Sequence, residues 1–121
     1  MRICGLQKTT LLDYPGKVAC TVFLGGCNFR CPFCQNSEIL SAASPAAYTQ
    51  DELFAFLQKR RGILEGVCVS GGEPLLHEEA EGLLKKIKAL GYCVKVDTNG
   101  SFPARLKKLC AAGLVDFVAM D

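Results

Sequence analysis

The sequence lacks the features by which membrane-spanning, secreted and nucleic-acid-binding proteins are usually recognised. Its longest apolar run, at residues 18–24, is too short to cross a bilayer. The N-terminal stretch MRICGLQKTT has neither the apolar segment nor the small-residue cleavage site of a signal peptide. The formal net charge is only +2, and the basic residues are scattered rather than clustered. We therefore expect a cytoplasmic protein with no membrane partner and no nucleic-acid partner.

Cysteine, in contrast, is abundant, with 8 residues in a chain of 121. In a small secreted protein this number would suggest disulfides. Without a secretion signal, a reducing cytosol with metal-bound or buried thiols is the better interpretation. Five cysteines have no close partner at metal-ligand spacing, and we predict that they are buried as small apolar side chains. These are Cys4, Cys20, Cys68, Cys93 and Cys110.

Short β-branched runs alternate along the chain with longer segments of helical periodicity. The predicted strands are residues 18–24, 66–70, 92–96 and 114–120. Three helices are predicted. The first starts at a capping box formed by Thr49 and Glu52 and ends near Gly62. The second spans residues 78–90, and the third runs from Pro103 to Gly113. Strands that alternate with helices predict a parallel sheet with right-handed crossovers.

The predicted fold class is therefore α/β, with about four parallel strands in alternating βα units, forming part of a TIM-type barrel. The last predicted strand has no helix after it, so we expect residues 1–121 to be the N-terminal part of a larger barrel domain. In such folds the site lies at the C-terminal edge of the sheet. The polar motifs of this sequence each follow a predicted strand, and we expect them to converge there.

The first of these motifs is GGCNFRCPFCQN, in which Cys27, Cys31 and Cys34 have the spacing C-x3-C-x2-C. A structural zinc site normally has four ligands, and His77, the only histidine, could supply the fourth. A [4Fe–4S] cluster usually takes four cysteines, so three would leave one iron open to a substrate or cofactor. Cys4 or Cys68 remain alternatives for a fourth ligand.

The second motif is SGGEP, which contains Gly71, Gly72 and Glu73. Glycines after a strand let the backbone approach a ligand closely. A plain turn is the alternative interpretation.

The third motif is DTNG, which contains Asp97, Thr98 and Asn99. Its alternative interpretation is a turn with an Asx-type cap before the next helix. Asp97 and Asp121 end neighbouring predicted strands, so their carboxylates could share a site. Two such carboxylates would need a cation or a proton between them.

The stretch CNFRCPFC resembles the cysteine signature of radical S-adenosylmethionine enzymes. The resemblance implies that Cys27, Cys31 and Cys34 hold a [4Fe–4S] cluster whose fourth iron is chelated by S-adenosylmethionine. The cofactor is then reductively cleaved to a 5′-deoxyadenosyl radical, which abstracts a hydrogen atom. SGGEP resembles the GGE motif of this family, which implies that Gly71, Gly72 and Glu73 contact the methionine amine.

The order of the motifs is similar to that in activating proteins of anaerobic ribonucleoside-triphosphate reductase, in their pyruvate formate-lyase-activating-like form. The similarity rests on the stretch LLDYPGKVACTVFLGGCNFRCPFCQN, followed in order by SGGEP, DTNG and VDFVAMD. This resemblance implies that Asp97, Thr98 and Asn99 support the cofactor or a cation beside it. It also implies a glycyl-radical enzyme as partner and flavodoxin or ferredoxin as electron donor. Gln35 departs from the histidine often found after the last cysteine. The alternatives are a radical enzyme acting on a small molecule, such as a tetrahydropterin, and a non-catalytic zinc-binding module.

Overall fold

A five-stranded sheet forms the centre of the computed structural model, which describes residues 3–24, 48–71, 73–76 and 78–120. The spatial order of the strands follows the chain: β1 is Ile3–Thr10, β2 is Ala19–Leu24, β3 is Gly66–Gly71, β4 is Cys93–Thr98 and β5 is Phe117–Met120. Strands β2 to β5 pair in parallel, whereas β1 pairs antiparallel with β2. The predicted α/β class is confirmed, and the four predicted strands form a parallel sheet, to which β1 adds an antiparallel strand.

Helices connect the parallel strands, as the alternating pattern predicts. Helix α1 is Gln50–Lys59, α2 is Ala80–Ala89 and α3 is Pro103–Ala111. The predicted capping box starts α1: Glu52 N donates to Thr49 Oγ1 at 3.1 Å, and Thr49 N donates to Glu52 Oε1 at 3.1 Å. These two bonds satisfy main-chain donors that the first helical turn leaves open.

Strand β1 is absent from the sequence-based prediction, which expected about four strands. Its sequence, ICGLQKTT, shows no regular alternation of apolar and polar residues and no β-branched run. It forms a strand because it pairs with the edge of β2, in a register that runs from Ile3 opposite Leu24 to Thr10 opposite Ala19. Tertiary pairing therefore overrides a weak local preference.

The two faces of the sheet differ in chemistry. On one face, alternate residues of the parallel strands belong to the buried apolar core, together with side chains of the helices; they include Val22, Val67, Val69, Val94, Val96, Leu53, Leu57, Leu83, Leu84 and Ile87. On the opposite face, strand pairing places Thr21 beside Cys68 and Cys68 beside Lys95. This polar row lies below the C-terminal edge of the sheet.

The loop between β1 and β2 covers the lower part of the polar face. Tyr14 is buried there, with its ring 6.1 Å from that of Phe117. A Cβ atom on Gly66 would lie 2.9 Å from the Tyr14 ring, so the absence of a side chain in β3 makes room for the tyrosine. Among the described helices, none has the length and apolar character to cross a membrane.

Candidate functional site

The predicted site residues that the structure describes lie at the C-terminal ends of β3 and β4. Gly71 is the last residue of β3, and Thr98 is the last residue of β4. Because the two strands are paired and parallel, their C-terminal ends share one edge of the sheet. The remaining predicted residues of the site lie outside the described residues: Cys27, Cys31, Cys34, Gly72, His77 and Asp121.

Gly71 brings the loop after β3 against the end of β2. Its φ is +110°, a conformation that residues with a side chain rarely adopt. A Cβ atom at this position would lie 2.4 Å from both the main-chain nitrogen and the main-chain oxygen of Leu24. Leu24 is the last described residue before the cysteine motif. The glycine is therefore required where the second motif meets the start of the first.

Glu73 connects the loop after β3 with the loop after β4. The residue is 1% exposed. Its Oε1 accepts hydrogen bonds from Thr98 Oγ1 at 2.9 Å and Asn99 N at 2.6 Å. Its Oε2 lies 2.9 Å from Thr98 Oγ1 and accepts a hydrogen bond from Leu75 N at 2.9 Å. Both carboxylate oxygens are therefore satisfied inside the protein.

These partners differ from the methionine amine that the resemblance implies for Glu73. The carboxylate is buried and points toward the main chain of the neighbouring loop rather than into open space. Buried main-chain donors that bind a carboxylate hold the loop that contains them in one conformation. The geometry thus gives Glu73 the role of joining the two loops, and the contact with the amine stays a prediction.

Thr98 and Asn99 both stabilise the turn between β4 and α3 by accepting hydrogen bonds within it. Besides donating to Glu73, the Thr98 hydroxyl accepts a hydrogen bond from Gly100 N at 3.2 Å. Asn99 Oδ1 accepts from Ser101 N at 3.0 Å and from the Ser101 hydroxyl at 2.6 Å. The Asx-type turn that the sequence analysis kept as an alternative is therefore present.

Asp97 lies on the polar face, in an ion pair that sequence analysis missed. Its Oδ1 is 2.8 Å from Lys95 Nζ, and its Oδ2 accepts a hydrogen bond from the Cys68 thiol at 3.3 Å. Lys95 Nζ also donates to the main-chain oxygen of Asp13 at 2.5 Å. A signal was present in the sequence, because a lysine inside the apolar run YCVKV is either paired or costly to bury.

The same network extends to β2, since Thr21 Oγ1 donates to Asp13 Oδ2 at 2.7 Å. Burial tends to lower the pKa of Lys95, but the hydrogen bond and charge of Asp97, with a further contribution from Asp13, outweigh it and raise the pKa. The ammonium group therefore remains charged at neutral pH. The polar face carries a network of paired charges directly below the strand-end motifs.

The cysteines outside the C-x3-C-x2-C motif differ in environment. Cys20 and Cys68 are fully buried, as predicted, and burial raises the pKa of the Cys20 thiol to about 12. Cys93 is half-buried. The prediction is wrong for Cys110, which is exposed because it lies on the outer side of α3. Cys68 sits in the middle of β3 and bonds to Asp97, so its described position does not favour a role as a fourth cluster ligand.

No group of three metal-ligating side chains occurs within the ranges that the structure describes. The metal-binding prediction thus depends on the cysteine motif, and comparison with known proteins bears on it. Residues 21–121 match the family described as the radical SAM superfamily. This match includes the cysteine motif and both strand-end motifs.

Known relatives match most of this chain but a smaller part of their own length. A protein of Methanocaldococcus jannaschii, named as a candidate glycyl-radical enzyme activating enzyme, is 32% identical over 98% of this chain and 49% of its own length. A 7-carboxy-7-deazaguanine synthase of Halobacterium salinarum is 40% identical over 74% of this chain and 36% of its own length. The chain therefore spans half or less of the length of these relatives.

A solved structure supports the fold. The crystal structure of QueE from Escherichia coli superposes with a TM-score of 0.62, covering 82% of this chain and 52% of the other, at 20% sequence identity. At this identity the similarity concerns the arrangement of strands and helices. It agrees with the mostly parallel sheet.

Proposed function

The chain belongs to the radical S-adenosylmethionine superfamily, and we propose on that basis that it activates a glycyl-radical enzyme. The observation that carries this proposal is the match to the M. jannaschii protein, which extends over 98% of the chain. The family implies a [4Fe–4S] cluster and S-adenosylmethionine as cofactors. When bound, this pair supplies a 5′-deoxyadenosyl radical, which in the proposed reaction removes a hydrogen atom from a glycine of the partner protein.

The sequence of the cysteine motif and the described edge of the sheet both suit this cofactor set. The three thiols of Cys27, Cys31 and Cys34 provide soft ligands in a number that leaves one iron open. The chain enters this motif directly after Leu24, against which Gly71 packs too closely for any side chain. In this proposal, S-adenosylmethionine contacts both the cluster and the loop after β3. A main-chain loop that begins close to the cysteine motif suits such a ligand.

In this proposal the protein binds and orients, while the radical performs the abstraction. Cys27, Cys31 and Cys34 hold the iron, and Gly71 and Gly72 line the methionine end. Glu73 fixes their loop by binding Thr98 and Asn99 N, which are 25 and 26 residues away. Asp97, near the end of β4, and Asn99, in the loop after β4, support the cofactor region. A rigid loop keeps the cofactor in the geometry needed for reaction.

The proposed partner is anaerobic ribonucleoside-triphosphate reductase, the proposed electron donor is flavodoxin or ferredoxin, and the proposed location is the cytoplasm. The test is anaerobic reconstitution with iron and sulfide, followed by reduction and electron paramagnetic resonance with and without S-adenosylmethionine. We expect a [4Fe–4S]⁺ signal whose shape changes when S-adenosylmethionine is added. With the reductase present, we expect 5′-deoxyadenosine and a glycyl-radical signal.

A matched pair of variants makes this test specific. Cys31→Ala removes one predicted ligand and should abolish 5′-deoxyadenosine formation, whereas Cys110→Ala removes an exposed thiol of α3 and should not affect it. Substantial cleavage by iron-loaded Cys31→Ala would contradict the assignment. Colourless protein with about one zinc per chain would favour the zinc-binding alternative.

A second candidate function is supported by the 7-carboxy-7-deazaguanine synthase relatives, one of which is 40% identical over 94 residues. In this case the substrate is a small molecule, such as a tetrahydropterin, rather than a protein. Both candidates share the cofactor site, so cleavage of S-adenosylmethionine does not separate them. Formation of a glycyl radical on the reductase supports the first candidate, and formation of 7-carboxy-7-deazaguanine from a tetrahydropterin supports the second.

A further inference from the structure

Lys95 is a buried cation that faces the carboxylate at the end of its own strand. Its side chain is 9% exposed, and its Nζ lies 2.8 Å from Asp97 Oδ1. Residues 95 and 97 are two apart in β4 and therefore project from the same face of the sheet. The second carboxylate oxygen of Asp97 accepts a hydrogen bond from the Cys68 thiol at 3.3 Å. Asp97 Oδ2 thus has a hydrogen-bond partner in the chain itself, and Oδ1, which accepts no hydrogen bond of regular geometry, has the Lys95 ammonium group as its ion-pair partner.

The charges around this pair come from few groups. Asp13 Oδ2 accepts a hydrogen bond from the Thr21 hydroxyl at 2.7 Å, and the main-chain oxygen of Asp13 accepts one from Lys95 Nζ at 2.5 Å. Burial raises the pKa of the Cys68 thiol, so this group remains neutral. Lys95 is therefore the cation that compensates Asp97 among the described groups on this face.

We propose that Lys95 is a built-in counter-cation for Asp97, a positioning residue that holds this carboxylate at the C-terminal end of β4 in place of a bound metal cation. The inference rests on the proposed function and deepens it, because Asp97 belongs to the loop and strand end assigned to the cofactor. A carboxylate that is only 27% exposed and has no neighbouring positive charge would recruit a cation or a proton. The tethered ammonium group satisfies that requirement within the protein.

A test of this proposal compares the thermal unfolding of five proteins purified without added cofactor. They are the unmodified chain, Lys95→Ala, Lys95→Met, the double variant Lys95→Met/Asp97→Asn, and the control Lys85→Met. Lys85 is an exposed lysine of α2 whose Nζ is 3.9 Å from Glu81, so its loss removes the same charge from a solvated position. Melting temperatures are measured in chloride salts of potassium, methylammonium and tetramethylammonium at equal ionic strength.

We expect the unmodified chain and Lys85→Met to melt at the same temperature in all three salts. Lys95→Ala opens a space that methylammonium fits and tetramethylammonium does not. It should therefore melt about 3 °C or more higher in methylammonium than in tetramethylammonium. A lysine that stabilises the chain only by packing of its methylene groups would give no such selective rescue. An equal melting temperature of Lys95→Ala in all three salts would overturn the proposal, as would a specific response of the unmodified chain to potassium.

The double variant keeps the test decisive if Lys95→Met or Lys95→Ala does not fold. Because the Asp97→Asn change removes the uncompensated buried charge, the double variant should recover most of the melting temperature lost by Lys95→Met. A double variant as unstable as Lys95→Met, or one that fails to fold, would show that Lys95 acts through the Asp13 contact or through packing. These measurements require no cluster, so a failure of the proposed function, seen as absent S-adenosylmethionine cleavage, is separate from a failure of this inference.

Discussion

The carboxylate of Glu73 and the hydroxyl of Thr98 join two loops that are 25 residues apart in sequence, with Thr98 Oγ1 at 2.9 Å from each carboxylate oxygen. The same carboxylate accepts hydrogen bonds from two main-chain nitrogens, Leu75 N and Asn99 N. One buried side chain therefore holds both strand-end motifs at the edge of the sheet. Changes in either partner should be measurable as a loss of stability.

Glu73→Gln should lower the free energy of unfolding by about 1–3 kcal/mol, because the amide group places a donor against a main-chain donor in a buried position. Thr98→Val should cost about 1–2 kcal/mol, because it removes the hydroxyl and leaves the carboxylate with its main-chain partners. Urea denaturation gives both values. The control is Thr9→Val at an exposed position of β1, for which we expect a change below about 0.5 kcal/mol. An unchanged free energy of unfolding in Glu73→Gln would refute the role of Glu73 in joining the two loops.

Gly71→Ala should destabilise the protein by at least about 2 kcal/mol, because the new Cβ atom would lie 2.4 Å from main-chain atoms of Leu24 in addition to an unfavourable φ. Gly91→Ala is the matched control: its φ is +92°, but no heavy atom lies within 4 Å of the added Cβ atom. We expect it to cost about 1 kcal/mol, from backbone strain alone. Equal losses in the two variants, measured by urea denaturation, would show that the contact with Leu24 is unimportant.

Asp116→Asn should lower the free energy of unfolding by an amount that depends on pH. Asp116 Oδ2 accepts hydrogen bonds from Lys88 Nζ and from Val94 N, each at 2.8 Å. Burial alone would raise the pKa of Asp116, but the hydrogen bonds from Lys88 and Val94 and the positive charge of Lys88 outweigh it and lower the pKa. A carboxyl group with a lowered pKa in the folded state stabilises the protein above its ordinary pKa of 3.8, and this contribution is lost as the pH falls below that value.

We therefore expect Asp116→Asn to cost about 0.5–1 kcal/mol at pH 7, since the side chain is partly exposed, and progressively less below about pH 4. Lys88→Met should show the same trend, whereas Lys107→Met, at an exposed position of α3, should leave the pH profile unchanged. The measurement is the free energy of unfolding between pH 3 and pH 7. A constant difference across this range would contradict the assignment of the interaction to the ionised carboxylate.

Gly66→Ala should cost about 1–3 kcal/mol, because the added Cβ atom would lie 2.9 Å from the buried ring of Tyr14. The double variant Gly66→Ala/Tyr14→Leu should lose less than the sum of its single variants, since a smaller side chain leaves room for the Cβ atom. Gly82→Ala in α2 is the control, with open space at the Cβ position, and should raise stability by about 0.5–1 kcal/mol. Thermal unfolding of the four variants tests this packing.

Local sequence signals predicted the parts of the fold that depend on neighbours along the chain. The capping box at Thr49 and the β-branched runs of β2, β3 and β4 predicted a helix, the central strands and their parallel pairing. Strand β1 was missed, because its formation depends on pairing with β2 rather than on its own pattern. The burial of Cys110 was predicted wrongly, because the sequence alone did not indicate which side of α3 faces the core.

The sequence by itself determined the order of the motifs and the spacing of the three cysteines, because both depend on positions along the chain. The tertiary structure decided where the charged side chains point. Glu73 contacts Thr98, and Asp97 contacts Lys95 and Cys68. A buried carboxylate requires donors or cations as partners, and those partners lie on the strands and loops that pack beside it. Two of these contacts span 25 and 29 residues, a separation at which local patterns carry no information about contact.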